Sequence, residues 1–146
     1  MRAFSILELI FVIIVGGIIA AIALPKLALT RSDAQYTAIL ADIQSINSAI
    51  TQKFLVEDLN PAALDGNLIM QTARLSTTRW IPQASGVRLA KNGALDSANN
   101  CVLIDFQQNN LVVRIDPAIV SPLCKKLAQT YPNPLITPLE STTIKL

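Results

Sequence analysis

The feature that most constrains this chain is an apolar stretch near its amino terminus that contains a single carboxylate. Phe4 to Leu24 spans 21 residues, about 31 Å as a helix, which is enough to cross the hydrocarbon core of a bilayer. Leu9 to Leu24 has no charged or strongly polar side chain. Glu8 is the exception, and a carboxylate at membrane depth costs about 2.5 kcal/mol or more. We therefore expect a membrane-crossing helix in which Glu8 has a function.

The rest of the chain has the composition of an ordinary soluble domain. The sequence of 146 residues holds 12 Lys or Arg and 10 Asp or Glu; without Arg2 and Glu8, 11 and 9 remain from Lys26 onward. These charges form no block of one sign, so the sequence gives no electrostatic support for nucleic-acid binding. The length predicts one domain with one modest core.

Several kinds of catalytic and metal site are excluded by composition. Histidine is absent and there are two cysteines, which rules out a Cys/His zinc site and a Ser-His-Asp or Cys-His nucleophile. We find no phosphate-binding glycine loop and no paired carboxylates, and we interpret the polar loop 96–100 as a solvated turn rather than a calcium site. The residues predict no enzyme, no cofactor and no metal.

The two cysteines, Cys101 and Cys124, have two interpretations. One is a single disulfide formed in an oxidising compartment, and the other is a pair of unrelated buried thiols.

The amino-terminal stretch allows three interpretations. A secretory signal peptide fits Arg2 and the small residues of Ala21-Ile22-Ala23, and a plain signal anchor fits the hydrophobicity. Both leave Glu8 unexplained. The third interpretation accounts for the carboxylate as well as for the apolar run.

That third interpretation is a resemblance to type IV prepilins and type II secretion pseudopilins. In that family a membrane peptidase cuts before an aromatic residue that is then N-methylated, and a glutamate, an apolar helix, a glycine and a proline follow. The matching residues here are Phe4, Glu8, Gly17 and Pro25. Ala3 stands where the family usually has glycine, and the three-residue leader, residues 1–3, is short for the family.

The resemblance also has a physical logic. Removal of the leader gives Phe4 a free amino group that is largely cationic at neutral pH. Neither this charge nor Glu8 is stable alone in an apolar filament core, and pairing them between adjacent subunits satisfies both and fixes the axial register. We predict that Glu8 acts in assembly and not as an acid catalyst.

The helix is predicted to continue beyond the apolar stretch. Pro25 and Gly16-Gly17 weaken it, and in filaments of the family the segment that corresponds to Gly17–Pro25 can melt. An apolar stripe then follows at helical spacing. It consists of Tyr36, Ile39, Ile43, Ile46, Ile50 and Phe54. Polar residues, among them Asp42 and Asn47, lie between these positions and are expected to face water. The predicted element is one kinked helix from about Ser5 to Phe54 whose second half packs on a sheet.

The remaining residues predict a small β-sheet head. Gly86–Ala90 is a weak strand, and Cys101–Phe106 and Leu111–Ile115 are stronger strands joined by a loop at 107–110. A helix is expected at Ser121–Gln129, short helical turns near Ala62–Leu64 and Leu68–Leu75, and an extended tail from Tyr131. Pilins often have a disulfide in their carboxy-terminal region, and the resemblance implies that Cys101 and Cys124 form one here.

The predicted fold is therefore α+β: a long, kinked amino-terminal helix, membrane-spanning in its first half, on a small antiparallel sheet, as in pilins. The predicted divisions are a leader (1–3), a transmembrane and filament-core helix (4–25), its amphipathic half (26–56) and the head with its tail (57–146).

The resemblance implies a filament subunit, either a pseudopilin or minor pilin of a secretion or DNA-uptake machine, or a major pilin of a surface pilus. Its partners are pilin subunits, a prepilin peptidase and an inner-membrane assembly platform; nucleic acid lacks support. The implied location is the inner membrane, with a periplasmic head, and then a periplasmic or surface filament. A membrane-anchored periplasmic binding protein is the alternative from another class.

Overall fold

The computed structural model describes residues 3–57 and 59–139, and of residues 23–30 and 61 it describes the backbone alone. The chain divides into two compact units, Met1–Gln35 and Tyr36–Leu146. One long helix, α1, contributes to both units. The described elements are α1 (Ile6–Val56), a 3₁₀ turn (Pro61–Ala63), α2 (Gly66–Thr72), β1 (Trp80–Pro82), β2 (Gly86–Lys91), β3 (Ala94–Leu95), β4 (Val102–Gln107), β5 (Asn110–Ile115), α3 (Pro122–Thr130) and β6 (Leu135–Pro138).

The strands form one antiparallel sheet in the second unit. Their order is β1-β2-β4-β5-β6, and β3 pairs with the end of β2. The predicted α+β class, with a long amino-terminal helix and an antiparallel sheet, is confirmed at this level.

The β4–β5 hairpin is the best predicted part of the sheet. The expected loop at 107–110 is shorter in the structure, because Gln107 and Asn110 pair as strand residues. The two residues between them, Gln108 and Asn109, have φ angles of 45° and 64°. Two successive positive φ angles give the tight turn whose twist matches that of the flanking strands. Leu139, beyond β6, donates its N–H to the Asn109 carbonyl at 2.9 Å.

Three strands were not predicted. β1 and β3 are very short, with three and two residues, and too brief to show an alternating pattern. β6 lies within the tail that the sequence predicts to be extended, and it adds to the sheet beside β5. Pro138 is tolerated there because a proline cannot donate to a ladder and belongs on an edge strand.

The apolar stripe of α1 forms the helical side of the core, as predicted. Its four isoleucines are at most 3% exposed, and Tyr36 and Phe54 pack against the same cluster at its two ends. The sheet contributes residues from β2, β4 and β5, and Trp80 is fully buried among them. Burial of each large side chain stabilises the head by about 1.5–3 kcal/mol.

The two cysteines form a disulfide, as one of the two interpretations predicted. Cys101 and Cys124 are joined with their Cα atoms 6.0 Å apart. Cys101 precedes β4, and Cys124 lies in the first turn of α3, where its N–H donates to the N-cap Ser121 hydroxyl at 3.2 Å. Closing this loop stabilises the head by about 3 kcal/mol on the chain-entropy estimate.

Two polar residues of α1 that were expected to face water instead bond the head. Asp42 Oδ2 accepts from the Arg79 guanidinium at 2.6 Å and from the Trp80 indole N–H at 2.7 Å. Asn47 Oδ1 accepts from the Thr137 hydroxyl of β6 at 2.7 Å. Both side chains flank the isoleucine stripe, so their polar atoms reach partners at the rim of the core.

A nearly buried ion pair links β2 to β4. Asp105, 7% exposed, accepts from the two terminal nitrogens of Arg88 at 2.9 and 3.1 Å and from the Ser85 hydroxyl at 3.1 Å. Two parallel N–H···O bonds of this kind hold both charges in a fixed geometry. Removing one partner would leave the other charge without compensation.

We expect Asp105→Ala to lower the free energy of unfolding by about 3 kcal/mol, since it strands the Arg88 charge. The measurement is the free energy of unfolding in urea. The double variant Arg88→Met/Asp105→Ala should lose about 1–3 kcal/mol less of it than the two single variants lose in sum. The matched control is Glu57→Ala, which breaks an exposed pair (Lys53 Nζ to Glu57 Oε2, 2.9 Å) and should cost less than about 0.5 kcal/mol. Additive single effects would contradict the pairing argument.

Candidate assembly site at the amino-terminal helix

The site is built on the first turn of α1, where Ser5 starts the helix. The Glu8 N–H donates to the Ser5 hydroxyl at 3.3 Å and to the Ser5 carbonyl at 3.1 Å, and the Leu9 N–H reaches the same carbonyl at 3.2 Å. A serine in this position satisfies a donor that the helix itself cannot. The Ser5-x-x-Glu8 spacing is also that of a capping box. This spacing is visible in the sequence and is a signal for a helix start at Ser5.

Glu8 thus has two possible uses, which differ in the part of the side chain that matters. As an acid in the first turn of α1, it is stabilised by the positive end of the helix dipole. An amino group placed on Phe4 would lie near the same positive end and would need an anion. The capping use depends on a hydrogen-bonding side chain, whereas pairing with an amine depends on the charge.

The surface that follows Glu8 is apolar and exposed. Every residue from Ala3 to Ile22 is exposed, and its large apolar side chains expose between 39% and 79% of their area. Soluble monomers seldom leave a contiguous apolar surface of this size uncovered, and such surfaces mark contacts with proteins or membranes. Among the described residues, no helix has both the length and the hydropathy required for a membrane span. The predicted segment 4–25 extends past residue 22 into residues whose side chains lie outside the described part.

No described residue packs against the two glycines of α1. A Cβ atom built on Gly16 or Gly17 meets nothing within 4 Å. Each glycine in a helix interior costs about 0.5–1 kcal/mol relative to alanine. The backbone of α1 is helical through Gly17 and Pro25, and the Pro25 side chain lies outside the described residues. The predicted melting of this segment in a filament stays a prediction.

The predicted site residues fall into two groups. The first unit contains Ala3, Phe4, Glu8 and Gly17. The first three of these lie in or just before the first turn of α1. The disulfide Cys101–Cys124 belongs to the second unit and stabilises the head.

In the polar loop at residues 96–100, the Asp96 carboxylate is bonded within the loop, whereas the Asn100 Oδ1 atom is buried with no hydrogen-bond partner among the described residues. The Asp96 carboxylate accepts from the backbone N–H of Ala98 and Asn99 and from the Asn99 side chain, at 3.1–3.2 Å. Within the described part of the chain, no group of His, Cys, Asp or Glu is arranged to hold a metal ion.

Among the described residues of the head, the Tyr131 side chain has a clearly shifted pKa. Burial, and secondarily the neighbouring Tyr36, raises the pKa of the Tyr131 phenol above its ordinary value. The Tyr36 hydroxyl in turn lies 2.5 Å from the Thr130 hydroxyl. This places both tyrosines at the end of α3, where they join that helix to α1.

The chain matches no protein-family model, no curated protein and no solved structure.

Proposed function

We propose that this chain is a structural subunit of a type IV pilus-like filament assembled from the bacterial inner membrane. The observation that carries the proposal is the start of α1. A single carboxylate, Glu8, lies four residues after Phe4, on a helix whose large apolar side chains are exposed from Ile6 to Ile22.

The arrangement of the helix supports a polymer. The second half of α1 buries its isoleucine stripe in the head, whereas the described side chains of the first half are exposed. A chain that folds its own head completely but leaves a long apolar helix face uncovered needs a second environment for that face. In the proposal, this environment is the membrane before assembly and neighbouring helices in the filament afterwards.

Assembly is proposed to be directed by charge pairing. After cleavage between Ala3 and Phe4, the new amine pairs with the Glu8 carboxylate of a neighbouring subunit. In an apolar filament core an unpaired charge costs several kcal/mol, so this contact both favours addition of a subunit and sets its axial position. The free glycine surface at Gly16 and Gly17 permits close approach between helices.

The first test is the mass of the mature protein. We expect intact-mass spectrometry of the purified chain to show loss of Met1–Ala3 and one added methyl group, placed on Phe4 by fragmentation. An unprocessed amino terminus supports the rival proposal of a membrane-anchored periplasmic binding protein, and a cut after Ala23 supports a secreted one. Either of these results would remove the filament proposal.

Within the filament class, we favour a pseudopilin or minor pilin of a secretion or DNA-uptake machine over a major pilin. The support is the short connection between Cys101 and Cys124, which closes a separation of 23 residues and leaves no long variable disulfide loop. The proposed partners are related pilin subunits, a prepilin peptidase and the inner-membrane assembly platform.

A further inference from the structure

A cleft of about 500 Å³ lies in the head between the last turns of α1 and helix α2. None of the described residues that line it is acidic. The lining includes two cations, two carboxamides and two apolar side chains: Lys53 and Arg74, Gln52 and Gln71, and Val56 and Leu68.

The cleft offers hydrogen-bond donors to an anion. The Lys53 ammonium lies 2.9 Å from the Glu57 carboxylate, and because a lysine ammonium has three donors, this contact leaves donors for a second anion. Among the described residues, the Arg74 guanidinium takes part in no hydrogen bond or ion pair. Arg74 thus presents its planar set of donors, which suits a carboxylate well.

Arg74 also holds an unfavourable backbone conformation. It follows the carboxy-terminal cap of α2 with a φ angle of 51°, and the Leu75 N–H closes the turn on the Met70 carbonyl at 3.0 Å. This is the position at which helices usually place glycine, because a side chain is strained there.

The cleft also presents an exposed apolar side chain, because Val56, which lines it, is 84% exposed. Cations beside exposed aliphatic side chains form a surface with two complementary parts, one for carboxylates and one for an aliphatic side chain.

We propose that this cleft binds an acidic peptide segment of a partner protein. Carboxylates of the peptide contact Lys53 and Arg74, the two glutamines donate to its backbone carbonyls, and an aliphatic side chain packs on Val56 and Leu68. The described lining residues include no aromatic side chain on which a nucleic-acid base would stack, so a peptide fits the cleft better than a nucleotide. The inference is independent of the filament proposal.

The test measures binding of a short fluorescent peptide that alternates glutamate with leucine to the full chain in neutral detergent. We expect Arg74→Glu to weaken binding by about tenfold or more in fluorescence anisotropy. The matched control is Arg114→Glu, the same charge change at an exposed residue of β5, which should change affinity by less than about twofold. A peptide with lysine in place of glutamate should not bind.

A second variant separates binding from folding. Arg74→Gly relieves the backbone and removes the guanidinium, so we expect a higher unfolding temperature together with weaker peptide binding. Equal loss of affinity in Arg74→Glu and Arg114→Glu would overturn the proposal, because it would show attraction to overall charge alone. Self-association, or binding to vesicles of anionic lipid, that depends on Arg74 while the peptide fails to bind would also overturn it.

Discussion

Replacement of Glu8 by glutamine is expected to leave the chain in the membrane and to exclude it from filaments. Glutamine keeps the length of the side chain and its ability to complete a capping box, but it removes the charge. An amine on Phe4 would then enter the filament core unpaired, at a cost of about 3–5 kcal/mol. That cost corresponds to a loss of incorporation of more than about 100-fold. The measurement is the ratio of subunit in sheared filaments to subunit in the membrane fraction.

The controls for Glu8 separate charge from capping. Glu8→Ala removes both and should also insert normally but assemble poorly. Ser5→Ala removes the hydroxyl that accepts the Glu8 N–H but keeps the carboxylate, so we expect it to assemble, with a cost of about 1 kcal/mol in helix stability. If Glu8→Gln formed normal filaments and Ser5→Ala did not assemble, Glu8 would act at the helix start. That result would contradict the pairing of Glu8 with an amine.

The long-range pattern of the sequence predicted much of the head. The isoleucine stripe from Ile39 to Ile50 gave the buried face of α1, because a period of 3.6 residues over several turns has few other interpretations. The β4–β5 hairpin followed from two strong strand segments with a polar loop between them, and the helix α3 followed from a proline near its start. The disulfide was one of two open interpretations.

What the sequence could not predict depends on contacts between distant residues. Asp42 was placed on the water face from its position in the helix, yet it accepts from Arg79 and Trp80, 37 and 38 residues away. Nothing local distinguishes it from a solvated aspartate. β6 could not be predicted either, because the proline-containing tail has no strand pattern of its own. It forms a strand by pairing with β5.

Most features of the candidate site are local in the sequence. The apolar run and the isolated Glu8 are local features, so the sequence shows them directly. The capping contact of Ser5 with Glu8 is equally local, but the resemblance to prepilins concerns the charge of Glu8 and not its hydrogen bonds. The cleft at Lys53 and Arg74 brings together α1 and α2, and no spacing rule connects those two helices.

Gly86→Ala is expected to unfold the head. Gly86 opens β2 opposite Asp105 of β4, and a Cβ atom there would overlap the Ile104 carbonyl oxygen and lie 2.8 Å from the Asp105 Cα. Both are backbone atoms inside a paired sheet, so neither can move aside without breaking the ladder. We expect a loss of more than about 4 kcal/mol, seen as the absence of a cooperative transition in circular dichroism.

Gly93→Ala is the matched control, since it tests conformation without crowding. Gly93 has a φ angle of 81°, and its nearest atom, the Thr77 carbonyl oxygen, is 4.0 Å from a built Cβ. A side chain there is strained but meets no neighbour, so the expected cost is about 1–2 kcal/mol. Equal, mild losses for both variants would contradict the close approach of β2 and β4 at Gly86. A large loss for Gly86→Ala alone would mean that this glycine, which in sequence only marks the start of a weak strand, is required by the spacing of the sheet.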